Sequence, residues 1–520
     1  MNEPRWSAMT HYSNPILPGF YPDPSVTRAG SDFYLVCSSF EYFPAVPIFR
    51  SRDLIHWEQI GHVLDRISQL DLTSRRSSTG IYAPTLRYHK GIFYMITTDV
   101  GGIGNFYVTA TEPAGPWSDP IRVPYGGIDP SLFFDHDDRA YVTVQQGADK
   151  DSHIIQYEID IVTGEAKCAP QVVWRGDGGP WIEGPHLYRI QDMYYLMSAS
   201  GGTGKAHREI IGRSRSPYGP FEPNPNPILT HNRLEHPLQC LGHADLIEDL
   251  NGKWWAVFLG VRWIEGNYSV LGRETFLSPV VWQDGWPQID NNEGTVDLNM
   301  TVTHKQMEPF HSTEPHRAVW RDHFDREVLG PEWVFIRNSA DGYYSLNTEH
   351  EGLTLYGQTG TLGDLGPITF VGHRQQHMKA SFTTSLSFAP MAEGEEAGLC
   401  VRRDEDAHYE VGILHSGSSP LLIARLTVRG QSQVVYEAKL TSTSILLRID
   451  ALGQEYALLY SEGQDSWTHI AAGTARALSP EDSVRHMCFT GAVVGLYATG
   501  NGRSNSSPAC FAWFDYQWDH

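Results

Sequence analysis

One short pattern returns five times in this chain and limits what it can fold into. Its first copy is Tyr21-Pro22-Asp23-Pro24-Ser25, followed by the apolar run Asp32-Phe33-Tyr34-Leu35-Val36-Cys37. Pro22 fixes its own φ and lacks a backbone donor, and Pro24 pushes Asp23 out of the helical region. A short acid therefore stands in a stiff frame just before a buried strand. Ala83-Pro84-Thr85-Leu86 leads in the same way to Phe93-Tyr94-Met95-Ile96, and Asp129-Pro130-Ser131-Leu132 to Ala140-Tyr141-Val142-Thr143. Gly184-Pro185-His186-Leu187 leads to Tyr194-Tyr195-Leu196-Met197, and His243-Ala244-Asp245-Leu246 to Trp254-Trp255-Ala256-Val257. The anchors Pro24, Pro84, Pro130, Pro185 and Ala244 stand 60, 46, 55 and 59 residues apart, and the last aromatic of each run (Tyr34, Tyr94, Tyr141, Tyr195, Trp255) follows its anchor by 10 or 11 residues. A β unit of this size cannot bury its own faces, so five of them stack on one another. The closed solution is a five-bladed β-propeller. Generic hairpins of a sandwich are the competing reading, and the constant anchor-to-strand spacing argues against them.

The repeats end well before the chain does. Residues 1–305 are expected to form the propeller, with 1–13 as a loose tail and Asn14-Pro15-Ile16-Leu17 as an edge strand that helps close the ring. Residues 306–319 carry prolines and histidines without a strand pattern and read as a linker. Residues 320–520 return to alternating runs such as Ala380-Ser381-Phe382-Thr383-Thr384-Ser385-Leu386 and Ser444-Ile445-Leu446-Leu447-Arg448-Ile449. About ten strands with few helices point to a β-sandwich, jelly-roll-like, so the fold class is all-β.

Composition narrows the function. A net charge of −22 argues against nucleic acid and anionic membranes as partners. Aromatics make up 12% of the chain, with 15 Trp, and flat aromatic faces suit sugar rings. The six cysteines lie far apart and show no CxxC spacing, so zinc and redox pairs are not indicated. Met1 to Trp6 contain no apolar segment of a signal peptide, and no long apolar run suggests a membrane helix. A reducing cytoplasm fits both features.

In a propeller the innermost strands line the axis, and the residues at one end of them meet at one mouth. That column reads Asp23, Ala83, Asp129, Gly184 and His243, with Glu183 one step before its glycine. Lone acids at strand starts are commonly turn formers. Three acids in register from distant segments are a constellation suited to general acid–base chemistry.

These residues resemble glycoside hydrolase family 43. The likeness lies in Asn14-Pro15-Ile16-Leu17-Pro18-Gly19-Phe20-Tyr21-Pro22-Asp23-Pro24-Ser25, Gly127-Ile128-Asp129-Pro130-Ser131-Leu132 and Ile182-Glu183-Gly184-Pro185-His186-Leu187-Tyr188. It extends to Ser38-Ser39-Phe40-Glu41-Tyr42-Phe43-Pro44, Gly242-His243-Ala244-Asp245 and Leu271-Gly272-Arg273-Glu274-Thr275. It is nearest to the branch of β-xylosidases and α-L-arabinofuranosidases with a C-terminal β-sandwich, and it covers essentially the whole chain. The resemblance implies an inverting exo-glycosidase that releases xylose from the non-reducing end of β-1,4-xylo-oligosaccharides. An α-L-arabinofuranosidase is the alternative, and a non-catalytic sugar-binding propeller is the rival from another class. Fructan or sucrose hydrolysis with retention is a further option.

By the same resemblance, Asp23 is the general base, Glu183 the general acid, and Asp129 the group that holds the acid and raises its pKa. Inversion needs the carboxyl groups roughly 6.5–9.5 Å apart, so that water fits between acid and sugar. Arg273, Phe40, Tyr82 and His243 match positions that bind the sugar. Gly201-Gly202-Thr203-Gly204 resembles a substrate-side loop. No cofactor is required and no metal ligand is firm, although an indirect calcium held through water by His243 is left open. The implied partner is a xylo-oligosaccharide or an arabinose-substituted oligosaccharide, with a homo-oligomer left open. One departure concerns Phe489-Thr490-Gly491-Ala492-Val493-Val494-Gly495: Val493 is expected where some members carry a phenylalanine that reaches over the site.

Overall fold

The computed structural model describes residues 8–289, 295–304, 319–338, 342–346, 352–417, 419–463, 466–503 and 507–518. Its first half is five four-to-five-stranded antiparallel sheets, each built from one continuous stretch of chain. Their innermost strands are Ser25–Ala29, Thr85–His89, Ile128–Phe134, Glu183–Ile190 and Leu238–Glu248, which open blades I to V. Each inner strand packs against the next, and that of blade V packs back on that of blade I, so the ring is closed.

The second strand of each blade shows why the pattern repeats. Ile92–Val100 and Trp254–Arg262 are buried along almost their whole length on both faces. A blade is covered on each side by a neighbour, so its central strands read as continuous apolar runs rather than alternating ones. In the sandwich, Lys379–Phe388 alternates buried and open residues, as a sheet with one solvated face does.

A charged hub ties the inner strands together below the mouth. The Asp245 carboxylate of blade V accepts hydrogen bonds from Ser25 Oγ (2.7 Å), the Val26 amide (3.1 Å), Arg87 Nη1 and Nη2 (2.8 and 3.2 Å) and the Tyr188 hydroxyl (2.6 Å). Arg87 also reaches His186 Nδ1 at 3.1 Å, which Ser131 Oγ approaches at 2.9 Å. Side chains of all five blades thus meet around one buried carboxylate, whose charge is satisfied by a cation and three further donors.

Ring closure differs from the sequence reading. Ala8–Ser13, expected to be tail, is a strand paired with Asn299–His304. Asn14-Pro15-Ile16-Leu17 forms no full strand. Leu17 makes a single bridge to Thr275. The Asn14 side chain donates to the Leu277 carbonyl and accepts from the Leu277 amide, both at 2.9 Å, so an amide side chain substitutes for a backbone rung. The proposed linker at 306–319 lies outside the described residues up to 318, and Val319 already begins the strand Val319–Asp322.

The second half is a sandwich of two eight-stranded sheets, richer in strands than the ten expected. One of these sheets includes Tyr42–Phe43 from blade I, paired with Trp333–Ile336. Between the two domains Phe20, Phe40 and Tyr42 pack with Val334, Ile336, Phe370 and Tyr497 in a shared core. Arg402 of the sandwich, fully buried, donates to Ser77 Oγ at 3.0 Å and lies 3.8 Å from Glu41 of the propeller. Truncating such a buried partner costs about 3–5 kcal/mol, which makes the interface a fixed part of the fold. Among the described residues no helix is long and apolar enough to cross a membrane.

Candidate active site

Four of the five column positions share one backbone kink. Asp23, Asp129, Gly184 and His243 have φ of 55°, 54°, 55° and 53°. In blades III, IV and V the pairing register slips at that point. Such a bulge turns a side chain off the sheet face and toward the axis. Aspartate tolerates this left-handed conformation better than most residues, and glycine adopts it freely. Blade IV needs glycine for a second reason. A Cβ on Gly184 would lie 2.7 Å from His243 Nε2. The column has no space for an acid there, so the blade offers its acid from the preceding residue, Glu183.

All seven sequence-predicted site residues line one cavity of about 220 Å³. Asp23, Asp129 and Glu183 line it together with Phe40, Tyr82, His243 and Arg273. This is below the roughly 300–1,000 Å³ of pockets for drug-sized ligands, and it suits a single sugar ring.

The three carboxyls are held in different states. Asp23 is buried, and burial alone would raise its pKa. Arg273 overcomes that, donating to Asp23 from Nη1 at 3.0 Å and Nη2 at 3.5 Å. His243 Nδ1 lies 3.5 Å away, and Ser38 Oγ donates at 2.5 Å. Together they hold Asp23 below the usual carboxylate range. Glu183 and Asp129 move the other way. Burial pushes both up; the Asp23 charge raises Glu183 further, and Glu183 and Asp23 raise Asp129. The Gly184 amide donates to Asp129 at 3.1 Å and only partly offsets this. Asp129 and Glu183 thus form a pair that resists losing its last proton.

Aromatic rings close the cavity. Phe40 and Phe489 stack at 5.5 Å, and Tyr82 meets them edge-on at 5.2 and 5.7 Å. The Arg273 guanidinium sits 5.4 Å from the Phe489 ring centre and 5.7 Å from that of Phe40. Phe489 comes from the sandwich and is fastened by its amide to Ser78 Oγ at 2.9 Å. This corrects the expectation for Val493. That residue starts the strand Val493–Thr499 and is fully buried in the interdomain core. The residue over the site is Phe489, in the loop before that strand.

Thr203 of the glycine-rich loop accepts from Arg273 Nη1 at 3.2 Å, which places that loop on the cavity wall. The sequence reading missed Trp181, Ile128 and Met487, which also line it. Trp181 stands two residues before Glu183 and was the findable one.

The carboxylate facing His243 is Asp23, at 3.5 Å from Nδ1. Among the described residues the group with metal-ligand spacing is Asp135, His136 and Asp137, which does not include His243.

Comparison with known proteins gives the same picture. Residues 12–287 match the model of glycosyl hydrolases family 43, and residues 321–517 match the β-xylosidase C-terminal concanavalin A-like domain. The chain is 42% identical to the non-reducing end α-L-arabinofuranosidase BoGH43B of Bacteroides ovatus, over 98% of this chain and 95% of that protein. It is 36% identical to a xylosidase/arabinosidase of Butyrivibrio fibrisolvens, over 96% and 98% of the two chains. The solved Bacteroides ovatus xyloglucan PUL GH43B superposes with a TM-score of 0.92 at 41% identity, over 98% of this chain and all of that one. The propeller, the sandwich and the acid column agree with these matches: the chain belongs to glycoside hydrolase family 43, and it is a glycoside hydrolase.

Proposed function

We propose an inverting exo-glycosidase that releases xylose from the non-reducing end of β-1,4-xylo-oligosaccharides. The observation that carries this reading is the one-ring cavity that sets an ionised Asp23 against the protonated Glu183–Asp129 pair. Glu183 gives its proton to the leaving oxygen as the glycosidic C–O bond breaks, and the bonding electrons leave with that oxygen. Asp23 takes a proton from water as the water oxygen bonds to the anomeric carbon from the other face. Asp129 keeps the acid protonated, and Arg273 orients both Asp23 and the sugar. The six free cysteines support a reducing cytoplasm as the compartment.

A second reading, α-L-arabinofuranosidase, is favoured by one observation, the 42% identity to the Bacteroides ovatus enzyme of that name. Rates on nitrophenyl β-xyloside and α-L-arabinofuranoside separate the two. Faster turnover of the xyloside is expected, and a strong preference for the arabinofuranoside selects the second reading. Turnover of neither would favour a sugar-binding propeller.

Two pH predictions follow from the charge pattern. Activity needs Asp23 ionised and the pair protonated, so it rises through the low pKa of Asp23 and falls through the raised pKa of the pair. Arg273→Ala removes the cation that lowers Asp23, so the acid limb of kcat/KM moves to higher pH and KM rises with it. Asp129→Asn removes the carboxyl that is paired with Glu183 and raised by it, so the pair's shared hold on its last proton is lost and the alkaline limb moves to lower pH. Unmoved limbs in the pH–rate profiles of these variants contradict the assignments.

A further inference from the structure

The ring wall of the sugar cavity is drawn from both domains, with Phe40 and Tyr82 from the propeller and Phe489 from the sandwich. Rings from three separate chain segments keep one arrangement only if something outside the cavity fixes their backbones. That support is a turn over residues 76–79, in which the Thr79 amide donates to the Arg76 carbonyl at 3.2 Å.

Ser78 of this turn is 3% exposed and stands behind the cavity rather than on its lining. Its φ of 63° lies in the left-handed region, and a serine stays there only where its surroundings impose it. Three of its polar groups are engaged. The amide donates to Glu41 Oε2 at 2.8 Å, the Oγ accepts from the Phe489 amide at 2.9 Å, and the carbonyl accepts from the Tyr82 hydroxyl at 3.0 Å. Glu41 follows Phe40 directly, and Phe40 and Ile81 exchange backbone hydrogen bonds of 2.9 and 3.1 Å. Each ring of the wall is therefore tied to this one residue, directly or through Glu41.

The turn is itself wedged between the domains. Ser77 donates its amide to Glu405 at 3.0 Å and accepts from Arg402 Nη2 at 3.0 Å, both from the sandwich. Glu41 is fully buried, and Arg402 Nη1 lies 3.8 Å from its Oε1. Burying a carboxyl is costly, and this one satisfies the amide of a residue outside any strand.

We propose that Ser78 is a positioning residue for sugar binding, which ties Phe489 and Tyr82, and Phe40 through Glu41, into one wall that the terminal sugar meets ready-made. This rests on the reading of the cavity as the seat of that sugar and adds the residue that holds its shape. The wall covers the ring before and during bond cleavage alike, so loosening it weakens binding and leaves the chemical step in place.

The test starts from Ser78→Gly. Glycine takes this φ without strain and keeps the amide and carbonyl ties, so only the hydroxyl tie to Phe489 is lost. On whichever nitrophenyl pentoside the wild type turns over faster, KM is expected to rise roughly threefold to tenfold, the scale of one hydrogen bond, with kcat and both limbs of the pH–rate profile unchanged. Ser78→Ala removes the same hydroxyl but keeps a Cβ at a positive φ, so it should share the KM of the glycine variant at a lower Tm. In a Phe489→Ala background, Ser78→Gly should add no further rise in KM, because the tie then holds no ring. An unchanged KM, a KM that follows Tm across the two variants, or additive effects in the Phe489→Ala background overturn the proposal while leaving the exo-glycosidase reading intact. A wild type that turns over no pentoside overturns both.

Discussion

Replacing Glu183 by alanine slows hydrolysis of xylobiose by roughly 10²–10⁴-fold, the range for loss of a general acid, while a nitrophenyl glycoside loses far less. The difference comes from the leaving group. A sugar alkoxide is a poor leaving group and must be protonated as the bond breaks, whereas nitrophenolate leaves without that help. The structure gives Glu183 the proton it needs. Its carboxyl is enclosed by burial and faces the Asp23 charge, and both effects resist ionisation. The variant is also expected to lose the alkaline limb of its pH–rate profile on the nitrophenyl substrate, because no acid is left to deprotonate. Steady-state kinetics on the two substrates check this, and equal losses on both argue against Glu183 as the acid.

Asp23→Asn removes activity on both substrates by a comparable or larger factor, roughly 10²–10⁴-fold or beyond. Water must lose a proton to attack whatever the leaving group is, so activation of the leaving group brings no relief. The amide is chosen because it changes basicity more than shape. Its oxygen can still accept from Arg273, which otherwise would be left as a buried cation without its partner, at a cost of several kcal/mol. An unfolding curve close to that of the wild type, alongside lost turnover of xylobiose and nitrophenyl xyloside, is the expected pairing. Retained turnover of either substrate contradicts the role of Asp23.

The ring and its acids were legible in the sequence because they rest on local constraints. A proline after the column residue, an apolar run at fixed distance and five returns are each visible along the chain. Other features depend on contacts between distant segments. The offset of Glu183 from the column makes sense only once His243 of the next blade is seen against Gly184. The paired protonation of Asp129 and Glu183 depends on burial, which no spacing reports. The same holds for Phe489. Its motif was recognised, but whether the residue over the site is Phe489 or Val493 is decided by where the strand begins. Val493 opens an all-buried strand, and a loop residue four positions earlier is free to cross the interface. The loan of Tyr42–Phe43 to a sandwich sheet left no periodic signal, since two residues are too short for one. Trp181 could have been found. A tryptophan two residues before a proposed acid, following Gly-Gly-Pro, is a bulky residue in a turn, and that combination marks a functional position more often than a core one.

Ring closure is what joins Asp23 to Glu183 and Asp129, and its chemical consequence is attack by water on the face of the sugar opposite the leaving group. Proton NMR of the sugar formed in the first seconds of hydrolysis reads this directly. The expected product of a β-xyloside is α-xylose, which then mutarotates. β-Xylose as the first-formed anomer would show two displacements through a glycosyl-enzyme intermediate, and it would contradict an Asp23 that activates water.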